Sequence, residues 1–297
     1  MKIIFKSVLM LSFLFYFSDY ANAFPLEEDW YKSELIPWLE QNEGKSFSLT
    51  DKNIEKYHSF NVKIDITMQD NRKAKCSSTR IHKNWLISAA HCLDNIKDAK
   101  AVIKNKNGED QFVELQEVFY MEGREKRLEE VLERVKRMAM GLNEDDIYDI
   151  AIRALPKKDD FLLIRIGDAA EESPGNTYIN RIVTADINKQ AQRKFFISAK
   201  YGGNVKDLWI ISSSFEEFAK CNISGGMDIL ATYPSFEILQ GDSGAGLLSP
   251  DGLYGITSRG FPEENYKQHG VYFLDEILTL MKNAMGNDFQ TLQIITE

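Results

Sequence analysis

No basic stripe interleaved with aromatic residues runs through this sequence, and acids outnumber bases 45 to 36, for a formal charge of −9. Such a surface repels phosphate backbones, which argues against nucleic acid as a partner. After the first 23 residues no apolar run approaches the length that spans a bilayer, and the residue directly after Ala23 is Phe24 rather than a cysteine, so neither a transmembrane helix nor a lipid anchor is indicated. Internal repeats and low-complexity tracts are also missing. Cysteine is scarce: three residues allow one disulfide and leave one spare thiol. What is present is an ordinary globular composition, 43% hydrophobic and 27% charged over 297 residues, enough for the core of one large domain or two small ones.

The first 23 residues stand apart. Lys2 and Lys6 precede the apolar run VLMLSFLFYF, and Ala21-Asn22-Ala23 ends the segment. A short positive start, an apolar stretch too short to cross a bilayer and a small-residue end fit a secretory signal peptide cleaved before Phe24, so the chain reads as secreted or periplasmic. Its loss removes two lysines and one aspartate and leaves the rest one unit more negative.

Residues 24–55 are acidic, with Trp30 and Trp38 but no clear period, and read as an extension or pro-segment. From about residue 58 come short alternating or β-branched runs such as FNVKIDITM, STRIHKNWLISAA and QFVELQEVFYM, with YDIAIRAL read as another. Many short strands separated by turn residues predict an all-β barrel or sandwich. One stretch, 123–142, breaks the pattern: Leu128, Val131, Leu132, Val135 and Met138 recur at helical spacing, and Gly141 offers a C-cap. An inserted amphipathic helix is expected near 123–140. The second half again reads as strands and closes on LDEILTLMKNAM, whose Ile277, Leu278 and Met281 give one apolar helical face. The boundary between halves falls in PKKDD (156–160) or GDAAEESPGNT (167–177), giving units of 56–160 and 161–297.

The stretch QGDSGAGL (240–247) carries chemistry. Gly241 and Gly244 permit positive φ and close approach to the main chain, so Ser243 sits in a shaped turn preceded by an acid. An Asp-Ser-Gly hairpin accounts for these eight residues as well as a nucleophile loop does, and the nucleophile needs a base and an orienting acid elsewhere. Of four histidines, His91 follows an apolar strand-like run in WLISAAHC. Its alternative reading is a satisfied structural histidine. The acid candidate is Asp149 in YDIAIRAL, where a buried carboxylate would need a donor such as an imidazole N–H; a strand-end cap is the other reading.

Taken together, SAAHC, DIAI and GDSGAG, in the order His, Asp, Ser, with a cysteine sixteen positions before Cys92, resemble the trypsin/chymotrypsin family of serine peptidases. The resemblance runs over about 58–285 and includes GITSRG and GVY. It implies two six-stranded antiparallel β-barrels with the site between them and a C-terminal helix. It also implies His91 as general base, Asp149 as its orienting acid and Ser243 as nucleophile, with the N–H groups of Gly241 and Ser243 as oxyanion hole. Cys76 and Cys92 are the natural disulfide pair, and Cys221 is left buried or available for an intermolecular bridge. The substrate is then a protein or peptide, and no cofactor or metal is called for.

Specificity rests on Glu237, six before the serine and at the pocket floor in this family, with Ser258 on the substrate-binding strand and Gly260 and Gly270 at the pocket wall. An open pocket over a carboxylate favours Arg or Lys before the scissile bond. Arg259 pulls toward acidic residues instead, although Thr257 stands where glutamyl-specific relatives tend to have histidine. Nothing around residues 45–62 resembles the Ile-Val-Gly-Gly-like start at which family zymogens are cut, so Asp242 needs another partner or the extension is removed elsewhere, such as after Lys45 or Lys52. Asn222-Ile-Ser224 is a glycosylation sequon if the secretory pathway is eukaryotic. The competing expectation is a catalytically silent homologue that uses the scaffold to bind proteins.

Overall fold

The computed structural model describes residues 30–43, 45–48, 51, 53–105, 107, 109–138, 141–168, 177–184, 194–200, 208–218, 230–234, 241–261 and 267–296. The expected signal peptide, Glu237, Cys221 and the sequon at Asn222 lie outside these residues.

The described residues of the segment read as an extension, from Trp30 on, pack into the core. A π-helical turn, Trp30–Leu35, leads into α1 (Ile36–Gln41), β1 (Ser46–Ser48) and the short α2 (Glu55–His58). Leu35 and Leu39 are fully buried, and Trp30, Tyr31 and Ile36 nearly so. The Tyr31 hydroxyl donates to the Ser249 carbonyl at 2.7 Å, and burial raises its pKa well above the ordinary tyrosine value. Trp38 stacks flat on Tyr57 with ring centroids 4.5 Å apart. The lack of a sequence period hid this, because each residue meets a different part of the core: Tyr31 reaches the second half of the chain, Trp38 reaches α2, and β1 pairs with a strand near residue 210.

The first barrel closes as expected. Its strands are β2 (Asn61–Met68), β3 (Lys73–His82), β4 (Trp85–Ala89), β5 (Ile96–Lys104), β6 (Asp110–Tyr120) and β7 (Phe161–Ile166), in the antiparallel order β2-β3-β4-β7-β6-β5. β2 shows why the sequence signal is clear: Val62, Ile64 and Ile66 point inward with at most 2% exposure, while the intervening Lys63 and Asp65 keep partial solvent contact. β7 is a near-continuous apolar run in which Leu162, Leu163 and Ile164 are fully buried, as in a strand covered on both faces.

Between β6 and β7 stand two helices rather than one, α3 (Arg124–Met138) and α4 (Glu144–Ala154), packed on each other as a hairpin. YDIAIRAL, expected as a strand, is the body of α4. Asn143 caps it, its side-chain oxygen accepting from the Asp146 N–H at 2.8 Å, and Glu144, Asp145 and Asp146 place negative charge in the first turn. Tyr148, Ala151, Ile152 and Leu155 share a face at helical spacing, while Ile150, the residue that made the stretch look alternating, is 42% exposed.

The second half forms one sheet of nine strands: β8 (Arg181–Thr184), β9 (Lys194–Lys200), β10 (Leu208–Phe218), β11 (Leu230–Pro234), β12 (Gly246–Ser249), β13 (Gly252–Phe261), β14 (Lys267–Tyr272), β15 (Gln293–Thr296) and β1. The path is β12-β9-β10-β11-β14-β13-β8-β15, with β12 also pairing β13 and β1 pairing β10. This is broader than the six antiparallel strands expected, because the two ends of the chain add β1 and β15, and β8 pairs in parallel with both β13 and β15. The expected C-terminal helix is α5 (Asp275–Met285), with Ile277 and Met281 fully buried.

Candidate active site

Strand pairing brings His91 to an aspartate. β4 ends with Ala89 opposite Phe161, the first residue of β7. His91 lies in the 3-10 turn just past β4 and Asp160 in the turn just before β7, so the two side chains meet at one end of the barrel. His91 Nδ1 is 2.9 Å from both carboxylate oxygens of Asp160, and the His91 main-chain N–H donates to Oδ1 at 2.9 Å. The Ser258 hydroxyl donates to Oδ2. An ionised carboxylate only accepts, so in the neutral imidazole the proton sits on Nδ1 and the lone pair on Nε2.

Ser258 reaches that carboxylate because of an irregularity in its strand. Between Thr257 and Arg259 the β13–β14 register shifts, and a bulge of this kind turns the extra side chain out of the regular alternation. Ser258, expected from the sequence as a substrate-binding residue, holds the carboxylate through its side chain, while its carbonyl accepts from the Ser243 hydroxyl at 3.1 Å. Ser243 is thereby joined to Asp160 through a single residue.

The loop of Ser243 is tied to both halves of the fold. Ser77 of β3 donates its main-chain N–H to the Ser243 carbonyl and its hydroxyl to the Gly241 carbonyl, each at 2.9 Å. Gly244 N–H donates to the Thr257 carbonyl, and Thr257 N–H to the Ala245 carbonyl, each at 2.7 Å. Gly244 has φ +89°, and a Cβ there would lie 2.1 Å from the Ser77 oxygen, so only glycine lets the loop approach β3 this closely. Gly241, at φ 105°, makes the preceding turn. Asp242 is buried at 1% exposure. Cys76 and Cys92 form a disulfide, and Cys92 Sγ stands 4.0 Å from His91 Nε2 and 3.9 Å from the Ser243 carbonyl oxygen.

Asp149 is not brought to this cluster. It lies on the exposed side of α4, its side chain 52% exposed, in an ion pair with Arg153 one turn on. The sequence signal for Asp160 was present but looked like a linker: PKKDD sits directly before FLLIRI, an acid at the mouth of a buried strand. The turn 157–160 is far from loose. Asp159 is fully buried and accepts from the Arg127 guanidinium at 2.6 and 2.7 Å, and Lys158 pairs with Glu276 of α5 at 2.8 Å. Of the expected pocket residues, Gly260 lies in β13 opposite Gln268, and Gly270 lies in β14 opposite Thr257. A Cβ on Gly270 would meet Leu247 Cδ1 at 2.7 Å, so packing within the sheet already explains that glycine.

The family model for trypsin matches residues 52–196. Among solved structures, HL collagenase superposes with TM-score 0.56 at 15% identity, covering 82% of this chain and 97% of that one. A scabies mite inactivated protease paralogue gives 0.54 at 10% identity, covering 82% and 98%. Human heparin binding protein gives 0.53 at 12% identity, covering 78% and 94%. No curated protein sequence matches. At these identities the structural likeness shows the fold, that of the trypsin-like serine proteases, and the family model that matches residues 52–196 is the one for trypsin.

Proposed function

We propose that the chain is an exported serine endopeptidase in which Ser243 is the nucleophile, His91 the general base and Asp160 the acid that orients it. The observation that carries this reading is the carboxylate of Asp160, which accepts from the ring and main chain of His91 and from Ser258, whose own carbonyl holds the Ser243 hydroxyl. With its Nδ1 proton directed at Asp160, His91 takes the Ser243 proton on Nε2 as Oγ attacks a peptide carbonyl, and then returns it to the leaving amine. The Asp160 carboxylate stabilises the imidazolium formed in between. The main-chain N–H groups of Gly241 and Ser243 serve the tetrahedral oxyanion, where losing one donor typically costs about 10²- to 10³-fold in rate. To Glu237, six positions before Ser243, we assign a preference for cleavage after Arg or Lys, on the sequence resemblance alone.

The test is digestion of a mixed peptide library by the mature chain from Phe24, with Ser243→Ala as control. The reading expects internal cleavage by the wild type alone, concentrated after basic residues. Absence of cleavage by a folded wild type overturns the peptidase reading and favours a binding scaffold. Two of the structural neighbours, described as an inactivated protease paralogue and as a heparin binding protein, give that outcome a meaning. Cleavage without an Arg or Lys preference removes only the role of Glu237.

A further inference from the structure

The helical insertion 124–154 is attached to the site by its first turn. Arg124, the first residue of α3, is buried, with 6% of its side chain exposed. Its Nη1 donates to Asp94 Oδ1 at 2.9 Å and its Nη2 to Asp94 Oδ2, while Nε donates to the Asp159 main-chain oxygen at 2.8 Å. Asp94 ends the turn that carries His91, and its N–H donates to the His91 carbonyl at 3.4 Å. Asp159 precedes Asp160. One planar guanidinium therefore spans the turn of His91 and the turn of Asp160. One helical turn on, Arg127 grips the Asp159 carboxylate with a second fork.

One argument gives this arrangement a purpose beyond cohesion. Burying an ion pair costs desolvation that roughly offsets its attraction, so such a pair adds little net stability and is often replaceable by apolar side chains, whereas a bidentate fork fixes angles as well as distance. An open pocket of about 610 Å³ lies against this tie, lined by Leu93 and Asp94 of the His91 turn and by Tyr120, Arg124 and Tyr148. The Tyr120 ring lies 5.1 Å from the Arg124 guanidinium carbon and steadies it further.

We propose that Arg124 is a positioning residue, which locks the turn of His91 to the turn of Asp160 so that the inserted helices brace the catalytic pair. The proposal rests on the peptidase reading above and extends it to a residue that touches neither substrate nor nucleophile. A displacement of about 1 Å at a reacting group can cost roughly 10²-fold in rate, so loosening this tie is expected to lower kcat by about ten- to a hundredfold and to leave KM within about twofold.

The experiment compares wild type with Arg124→Met/Asp94→Asn, which leaves no buried charge unpaired, and with Arg124→Lys, which keeps the charge but not the fork. Met138→Ala, at an 80% exposed position of α3, is the control. The readouts are kcat and KM per titrated active site, and the proton resonance of the His91 Nδ1–H bond to Asp160, assigned by its loss in Asp160→Asn. Lower kcat at unchanged KM together with a shifted or broadened resonance is the expected result, with Arg124→Lys intermediate and Met138→Ala unchanged. Unchanged kcat and an unchanged resonance in the folded variants overturn the proposal. If wild type cleaves nothing, the peptidase reading fails by itself and the resonance still decides whether Arg124 positions the pair. If the double variant does not fold, Arg124→Lys decides by the same two readouts.

Discussion

Exchanging Asp160 for asparagine separates the two candidate acids. Asp160 accepts from the His91 ring, the His91 main chain and Ser258. Asparagine offers one oxygen and one NH₂ group in the same space, so at least one former donor faces another donor. The imidazole relieves this by placing its proton on Nε2, where it can no longer take the proton of Ser243. Loss of the right tautomer in such a triad costs about 10⁴-fold in kcat, on the order of 5 kcal/mol of transition-state stabilisation. Asp149→Asn removes only an exposed ion pair with Arg153, of the kind worth about 0.3–0.5 kcal/mol in stability, and should leave kcat/KM within about twofold. Steady-state hydrolysis by both variants, with folding checked by circular dichroism, makes the comparison. A crippled Asp149→Asn beside an active Asp160→Asn would refute the reasoning.

Other outcomes follow from the same structure. Leu39→Ala should cost about 2–5 kcal/mol in denaturant unfolding, because Leu39 is fully buried in the core; a change below about 0.5 kcal/mol would contradict that packing. Cys76→Ser/Cys92→Ser should lower stability by roughly 3 kcal/mol through the freed loop, read from the denaturant midpoint. His82 has a pKa lowered chiefly by burial, with Arg80 and Lys83 adding to the shift and Asp288 opposing it. Below the ordinary histidine value of about 6.5 the unfolded chain takes up a proton that folded His82 resists, so stability falls as pH drops from there toward the lowered value. His82→Gln should show a shallower fall over that window.

The parts of the site that a short local pattern specifies were legible in the sequence. Gly241 and Gly244, on either side of Ser243, sit where positive φ and, at Gly244, close approach to β3 demand glycine, and His91 follows a buried strand beside a cysteine that does pair with Cys76. Asp160 was missed because its partner is set by the β4–β7 pairing, which joins residues about 70 apart in the chain and across a two-helix insertion. The insertion also supplied the decoy: Asp149 in a stretch whose alternation of Tyr148, Ile150 and Ile152 resembled a strand until the cap at Asn143 and the buried face through Ala151 and Leu155 prevailed. The role of Ser258 depends on a bulge, which no composition rule marks. The place of residues 30–48 was hidden for a similar reason, since Tyr31 and β1 find their partners some 160 to 220 residues later.

The central claim is that Ser243 is an activated nucleophile, and the most direct measurement is the intact mass of the mature chain after exposure to a fluorophosphonate, with the modified peptide mapped. The account predicts a single adduct on Ser243, absent from Ser243→Ala and strongly slowed in Asp160→Asn. A folded protein that takes up no adduct, or takes it up elsewhere, would contradict it.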